Sequence, residues 1–129
     1  MEKAFENINK SQKALSSYYR LLVGDLLSKE LNKCIFLDVD ICVCKDLSEL
    51  FNIDIKDNYI AEVSEPDYYL SEEQNFKRLN ISSIKQYVNL GMLIMNLKQM
   101  RRNNMTQKFI ELSIRNYEFH GKDIINVAC

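Results

Sequence analysis

Apolar residues follow two kinds of pattern along this chain. Over residues 12–29, Leu15, Tyr18, Tyr19, Leu22, Val23, Leu26 and Leu27 recur at spacings of three and four, which predicts an amphipathic helix. Cys34-Ile35-Phe36-Leu37 is instead a short continuous apolar run that ends in Asp38-Val39-Asp40. Such a run predicts a strand covered on both faces, as in a parallel sheet. Asp46-Leu47-Ser48-Glu49-Leu50-Phe51 predicts a capped helical turn, with Asp46 accepting from free N–H groups and Glu49 three residues on. Tyr59-Ile60-Ala61-Glu62-Val63 predicts a second strand. Residues 64–86 are polar and predict a long loop with a helical piece near Glu72 to Leu79. Tyr87 to Asn96 predicts a third extended stretch, bent at Gly91. Helices are expected near 97–102 and 105–117, the second with an apolar stripe of Met105, Phe109, Ile110, Leu112, Ile114 and Tyr117. A last helix is expected over 122–128. Strands alternating with helices imply α/β layers.

Composition narrows the class. At 129 residues with a single Pro, three Gly and no repeat or linker, residues 1–129 read as one domain. The apolar share of 47% and charged share of 27% exclude a disordered or collagenous chain. Lys plus Arg number 17 against 18 Asp plus Glu, a net charge of -1, so there is no basic excess to hold a phosphate backbone. No nucleic-acid partner is expected. The longest apolar run, Leu90-Gly91-Met92-Leu93-Ile94-Met95, is far below the ~18 residues of a membrane span. Met1-Glu2-Lys3-Ala4-Phe5-Glu6 lacks a hydrophobic signal core, so the chain reads as cytosolic. Cys34, Cys42, Cys44 and Cys129 fit that compartment as free thiols; Cys42-x-Cys44 is not a zinc spacing and sits in an apolar stretch, so the cysteines read as packing residues, with disulfide or metal as the alternative.

The candidate chemistry lies at the end of the first strand. Asp38 and Asp40 stand two residues apart where the apolar run ends. Where the backbone turns at a strand end, both can reach one cation. Hard divalent ions take oxygen ligands and are often shared between carboxylates and a substrate diphosphate. The same pair read structurally is two loop carboxylates capping a neighbouring helix. Read structurally, too, Arg20 is a solvated charge on a helix, Asn89 a turn residue, and Gly91 a point of backbone freedom.

Four segments together carry a resemblance: Tyr18-Tyr19-Arg20-Leu21, Ile35-Phe36-Leu37-Asp38-Val39-Asp40, the run from Asp46 to Asp54, and Tyr87-Val88-Asn89-Leu90-Gly91-Met92-Leu93-Ile94-Met95-Asn96-Leu97-Lys98. In order and spacing they resemble the retaining glycosyltransferases of family 8, the group of bacterial lipopolysaccharide galactosyl- and glucosyltransferases and glycogenin. The resemblance covers nearly the whole chain. It implies an α/β nucleotide-diphospho-sugar fold of the GT-A type and a UDP-sugar donor. It also implies a carbohydrate or glycolipid acceptor, Mn²⁺ (or Mg²⁺), and transfer with retention. Asp38 and Asp40 match the metal-binding pair, and Asp38 with Val39 lies by the donor. Arg20, Asn89, Leu90, Gly91 and Asp123 match donor-binding positions.

The match is not uniform. Leu90 stands where the family has a small residue. Gly121-Lys122-Asp123-Ile124-Ile125-Asn126 aligns with Asp-Gln-Asp-x-x-Asn, so Asp123 and Asn126 match, while Gly121 and Lys122 replace the first Asp and the Gln. Lys122 cannot accept a hydrogen bond and adds positive charge where an oxocarbenium-like centre develops. No catalytic residue is therefore assigned. The resemblance implies an incomplete domain. A nucleotide-binding strand and helix would precede residue 1. A segment with a metal-site His and a diphosphate Lys would follow residue 129. His120 is not that His and reads as a surface or strand-end residue. Exposed strand edges would then favour self-association. Two other readings remain at this level. One is a non-catalytic fragment or binding module. The other is a haloacid-dehalogenase-type phosphatase, which Phe36-Leu37-Asp38-Val39-Asp40 also resembles but which wants Thr or Val at Cys42 and a downstream acidic pair.

Overall fold

The computed structural model describes residues 18–62, 79–80, 87–114 and 121–129. In chain order they form a 3-10 turn (Arg20–Leu22) running into α1 (Val23–Leu26), then β1 (Cys34–Leu37), α2 (Ser48–Asn52), β2 (Ile60–Ala61) and β3 (Met92–Met95). Three helices close the chain: α3 (Leu97–Arg102), α4 (Met105–Ser113) and α5 (Gly121–Ala128). Sheet order is β1-β3-β2, and β3 runs antiparallel to both neighbours.

This corrects the expected parallel, fully covered first strand. All four residues of β1 are half-buried, whereas Leu93, Ile94 and Met95 of β3 are buried. An apolar run reports that a strand meets apolar matter. It carries no information on strand direction, which the distant partner sets. The register pairs Cys34 with Met95 and Leu37 with Met92.

The helical expectations hold with altered ends. The first helix stops at Leu26, not 29, because Leu27 is extended. Its C-terminal carbonyls are collected by Arg101 on α3. That guanidinium donates to the carbonyls of Gly24, Leu27, Ser28, Lys29 and Leu31. Asn96 caps α3, its side chain accepting from the Gln99 N–H at 3.0 Å. Asn104, left-handed at φ 51°, turns the chain from α3 into α4. Along α4 the apolar stripe is only partly used. Met105 and Phe109 are buried, but Ile114 is 78% exposed. Tyr117, His120, residues 12–17 and the loop over 64–86 apart from Leu79 and Asn80 lie outside the described residues. Asp46 accepts from the Ser48 N–H at 2.6 Å, but from one position before the N-cap, which is Leu47 and makes no side-chain cap bond; its hydrogen bonds to Ser48 hold its carboxyl below the usual value.

One apolar core joins these elements. Tyr18, Leu21 and Leu22 pack with Leu93, Leu97 and Phe109 and with Ile124 and Ile125 of α5. Gly24 packs close to α3 and α4, where a Cβ would lie in ordinary contact, 3.8 Å from both Met100 Cβ and Thr106 Oγ1.

Candidate functional site

The sheet itself brings the two sequence motifs together. Leu37 pairs with Met92, and the ladder runs one residue further, the Asp38 N–H donating to the Gly91 carbonyl at 2.8 Å. The carboxylate-bearing end of β1 therefore lies opposite Asn89-Leu90-Gly91, more than fifty residues away in sequence. Beyond Asp38 the chain turns, with the Ile41 N–H returning to the Asp38 carbonyl at 3.1 Å. Val39 and Asp40 sit in that turn, both exposed.

Arg20 ties the two strand ends. It donates through one guanidinium nitrogen to Asp38 Oδ1 at 2.8 Å and through the other to the Leu90 carbonyl at 3.1 Å. Its guanidinium carbon lies 4.8 Å from the centroid of the Phe36 ring, a cation–π contact. The side chain is 13% exposed against 34% for Asp38, so the ion pair is only partly screened by water. The Arg20 Nε is buried without a hydrogen-bond partner.

Asn89 folds back on the segment leading into β3, Oδ1 accepting from the Gly91 N–H at 2.7 Å. A Cβ at position 91 would lie 3.0 Å from that oxygen, a contact so tight that the Asn89 side chain would have to shift. Leu90 points inward and is buried, so the larger residue at this position packs in the core.

The helix α5 supports the site from behind. Asn126 grips the backbone of Val88 at both polar groups. Its Oδ1 accepts from the Val88 N–H at 2.7 Å, and its Nδ2 donates to the Val88 carbonyl at 3.2 Å. One side chain thus bonds both backbone polar groups of the residue before Asn89. Asp123 is fully buried and accepts from the Tyr87 hydroxyl at 3.0 Å. Lys122 lays its ammonium 5.1 Å from the centroid of the same Tyr87 ring. Sequence reasoning assigned no role to Tyr87 and matched Asn126 without one. Its spacing from Asp123 was the available signal.

The donor set at the turn suits a hard cation. Asp38 and Asp40 offer carboxylate oxygens, one Asp38 oxygen is committed to Arg20, and Asp40 is open to solvent. Among the described residues no group of three or more His, Cys, Asp or Glu gathers there or elsewhere. A pair supplying two ligands leaves the remaining coordination to water and substrate oxygens, which suits Mn²⁺ or Mg²⁺ better than a closed protein cage. A separate apolar cavity lies between α2 and the sheet, lined by Leu50, Ile53, Ala61, Glu62, Met92 and Ile94. It contains none of these residues.

The α/β fold is of the GT-A type, and solved glycosyltransferases superpose on it. The apo structure of the bifunctional glycosyltransferase WbbM matches with a TM-score of 0.80 at 25% identity, over 93% of this chain and 23% of that one. The galactosyltransferase LgtC, solved with donor and acceptor sugar analogues, matches with a TM-score of 0.76 at 23% identity, over 97% of this chain and 46% of that one. The chain belongs to glycosyl transferase family 8, whose model matches residues 2–129. It is 34% identical over 119 residues to a lipopolysaccharide 1,2-glucosyltransferase of Escherichia coli, covering 88% of this chain and 34% of that protein. It is 30% identical over 134 residues to a putative glycosyltransferase of Haemophilus influenzae, covering 99% of this chain and 40% of that protein. General stress protein A of Bacillus subtilis is 29% identical over 96 residues, or 74% of this chain and 32% of that protein. The chain thus spans about a third of the length of the curated relatives it matches. No helix among the described residues is long and apolar enough to cross a membrane.

Proposed function

We propose that residues 1–129 form part of a hexosyltransferase domain. It would move a sugar from a UDP-sugar to a glycan or lipopolysaccharide-type acceptor with retention, at the cytoplasmic side of the membrane. The observation that carries this is the ladder bond from Asp38 to Gly91, which joins the carboxylate turn to the Asn89-Leu90-Gly91 segment. Asp38 and Asp40 would hold Mn²⁺ or Mg²⁺, which supplies Lewis-acid stabilisation to a departing diphosphate. Arg20 orients Asp38 and adds a fixed positive charge beside the same turn. The Nδ2 of Asn89, its Oδ1 being committed to Gly91, is the group offered to the donor sugar. Val39 and Leu90 contribute backbone at the donor, and Asp123 acts from beneath it through Tyr87. The acceptor hydroxyl would attack from the face the diphosphate leaves.

A second reading, a non-catalytic binding module of the same family, is favoured by Lys122. Its ammonium lies beside Tyr87 at the position where the family carries a neutral amide. The two readings share the metal pair and part at turnover. Titrating Mn²⁺ with UDP into wild type and Asp40→Ala tests the shared part. Wild type should bind and the variant should bind at least tenfold more weakly. Equal binding, with both proteins folded by circular dichroism, would remove the carboxylates from the site.

A further inference from the structure

Cys42 and Cys44 lie on the irregular segment between β1 and α2, and both are exposed. Their Sγ atoms are 3.9 Å apart, and the Cys44 thiol also approaches the Cys42 carbonyl at 3.7 Å. On an extended chain, residues two apart would share a face without contact. Here the segment curls until the two sulfurs touch. This corrects the expectation that the two cysteines pack: every residue from Val39 to Asp46 is exposed. The other thiols differ in setting: Cys34 is half-buried in β1, where burial pushes its thiol up, and Cys129 is the last residue. No third ligand makes the pair part of a metal cluster among the described residues.

We propose that Cys42 and Cys44 are a thiol–disulfide site that closes to an intraloop disulfide when met by a low-molecular-weight disulfide. One cysteine sulfur attacks a sulfur of the small disulfide. Its proton is released, the S–S bond breaks, and the departing small thiol takes up a proton. The second cysteine then attacks the protein sulfur of the mixed disulfide and releases the second small thiol in the same way. The two protein sulfurs lose two electrons and two protons in all, and the small disulfide gains them. Closure asks the sulfurs to move from contact to the ~2.0 Å of a bond. Only exposed side chains need to shift, because no residue of this segment is buried. In a reducing compartment such a bond is transient and reports oxidant. It would shorten the loop two residues beyond Asp40, directly after the carboxylate turn.

The site stands independently of the metal reading, and its test reads mass rather than activity. The reduced full chain is incubated with oxidised glutathione, quenched in acid, alkylated and mapped by peptide mass spectrometry. The expected product lacks two hydrogens, has both sulfurs in one peptide spanning Cys42 and Cys44, carries no glutathione, and reverts with dithiothreitol. Cys42→Ser and Cys44→Ser should each instead retain one glutathione, because the resolving thiol is gone. The proposal is overturned by a stable glutathione adduct in the wild type, by a bond from either cysteine to Cys34, Cys129 or a second chain, or by no oxidation at all.

Discussion

Asp38, Arg20 and Asn89 do most of their work through atoms that sequence does not display. Arg20 is held by three different contacts: a carboxylate, a backbone carbonyl and an aromatic ring. Lysine could satisfy one of these but not the fork. The tightest position is Gly91. Its conformation is open to any residue, so the requirement there is space, set by Asn89 Oδ1 at 3.0 Å from an added Cβ. Gly91→Ala should displace the Asn89 side chain and lower stability by about 1–2 kcal/mol, the cost of a lost hydrogen bond plus crowding. Urea unfolding reads the change. An unaltered midpoint would show that Asn89 swings away at no cost.

At the scale of elements, α5 acts on the site by supporting the strand that carries it. The amide of Asn126 satisfies both backbone groups of Val88, which lies between Tyr87 and Asn89. Asn126→Ala leaves those groups unpaired in a part-buried setting and should cost about 1–3 kcal/mol. Asn126→Asp keeps the acceptor for the Val88 N–H but turns the donor facing its carbonyl into a second acceptor, so it should not rescue. Thermal unfolding of the two variants checks both statements, and recovery in the aspartate form would contradict the two-bond clasp. The end of α1 is similar in kind, because Arg101 on α3 donates to the carbonyls of Gly24 and of the C-cap Leu27.

The described residues share one core. β1 and β2 each leave an edge unpaired among the described residues, and Phe51 and Ile53 are exposed beside them. Stability should fall in alkali. Burial raises the Cys34 thiol from its ordinary 9.0, and burial followed by the charge of Asp123 raises the Tyr18 hydroxyl from 10.0. Each folded-state value lies above the unfolded one, so the stabilising contribution is complete below pH 9 and is lost as pH rises through the raised values. Tyr18→Phe should flatten the part of that loss above pH 10, measured by urea midpoints from pH 8 to 11. On turnover, Lys122 puts a cation where a neutral amide is expected, and one misplaced electrostatic group costs ~10²–10³ in rate. UDP release from UDP-glucose or UDP-galactose with Mn²⁺ should therefore stay far below ~1 per second. Release at that rate, absent in Asp38→Ala, would show that Lys122 is compatible with transfer.

Much of the secondary structure was legible in local pattern. The boundaries of β1 and α3, the hydrogen-bonded turn at Asp46 and the carboxylate pair at a strand end all follow from residues within a few positions of one another. The family itself was legible in the order of four short segments. Tertiary structure decided the rest. It set β1 antiparallel to β3, placed Asp38 opposite Gly91, brought Arg20 to a carbonyl seventy positions away and gave Val88 a side chain for a partner. It also left Ile114 in solvent although it continues the stripe of α4. Hydrogen-bond partners of high sequence separation leave no periodicity in the chain. A helical stripe reports only that a face is apolar, while its burial depends on how far the neighbouring elements extend.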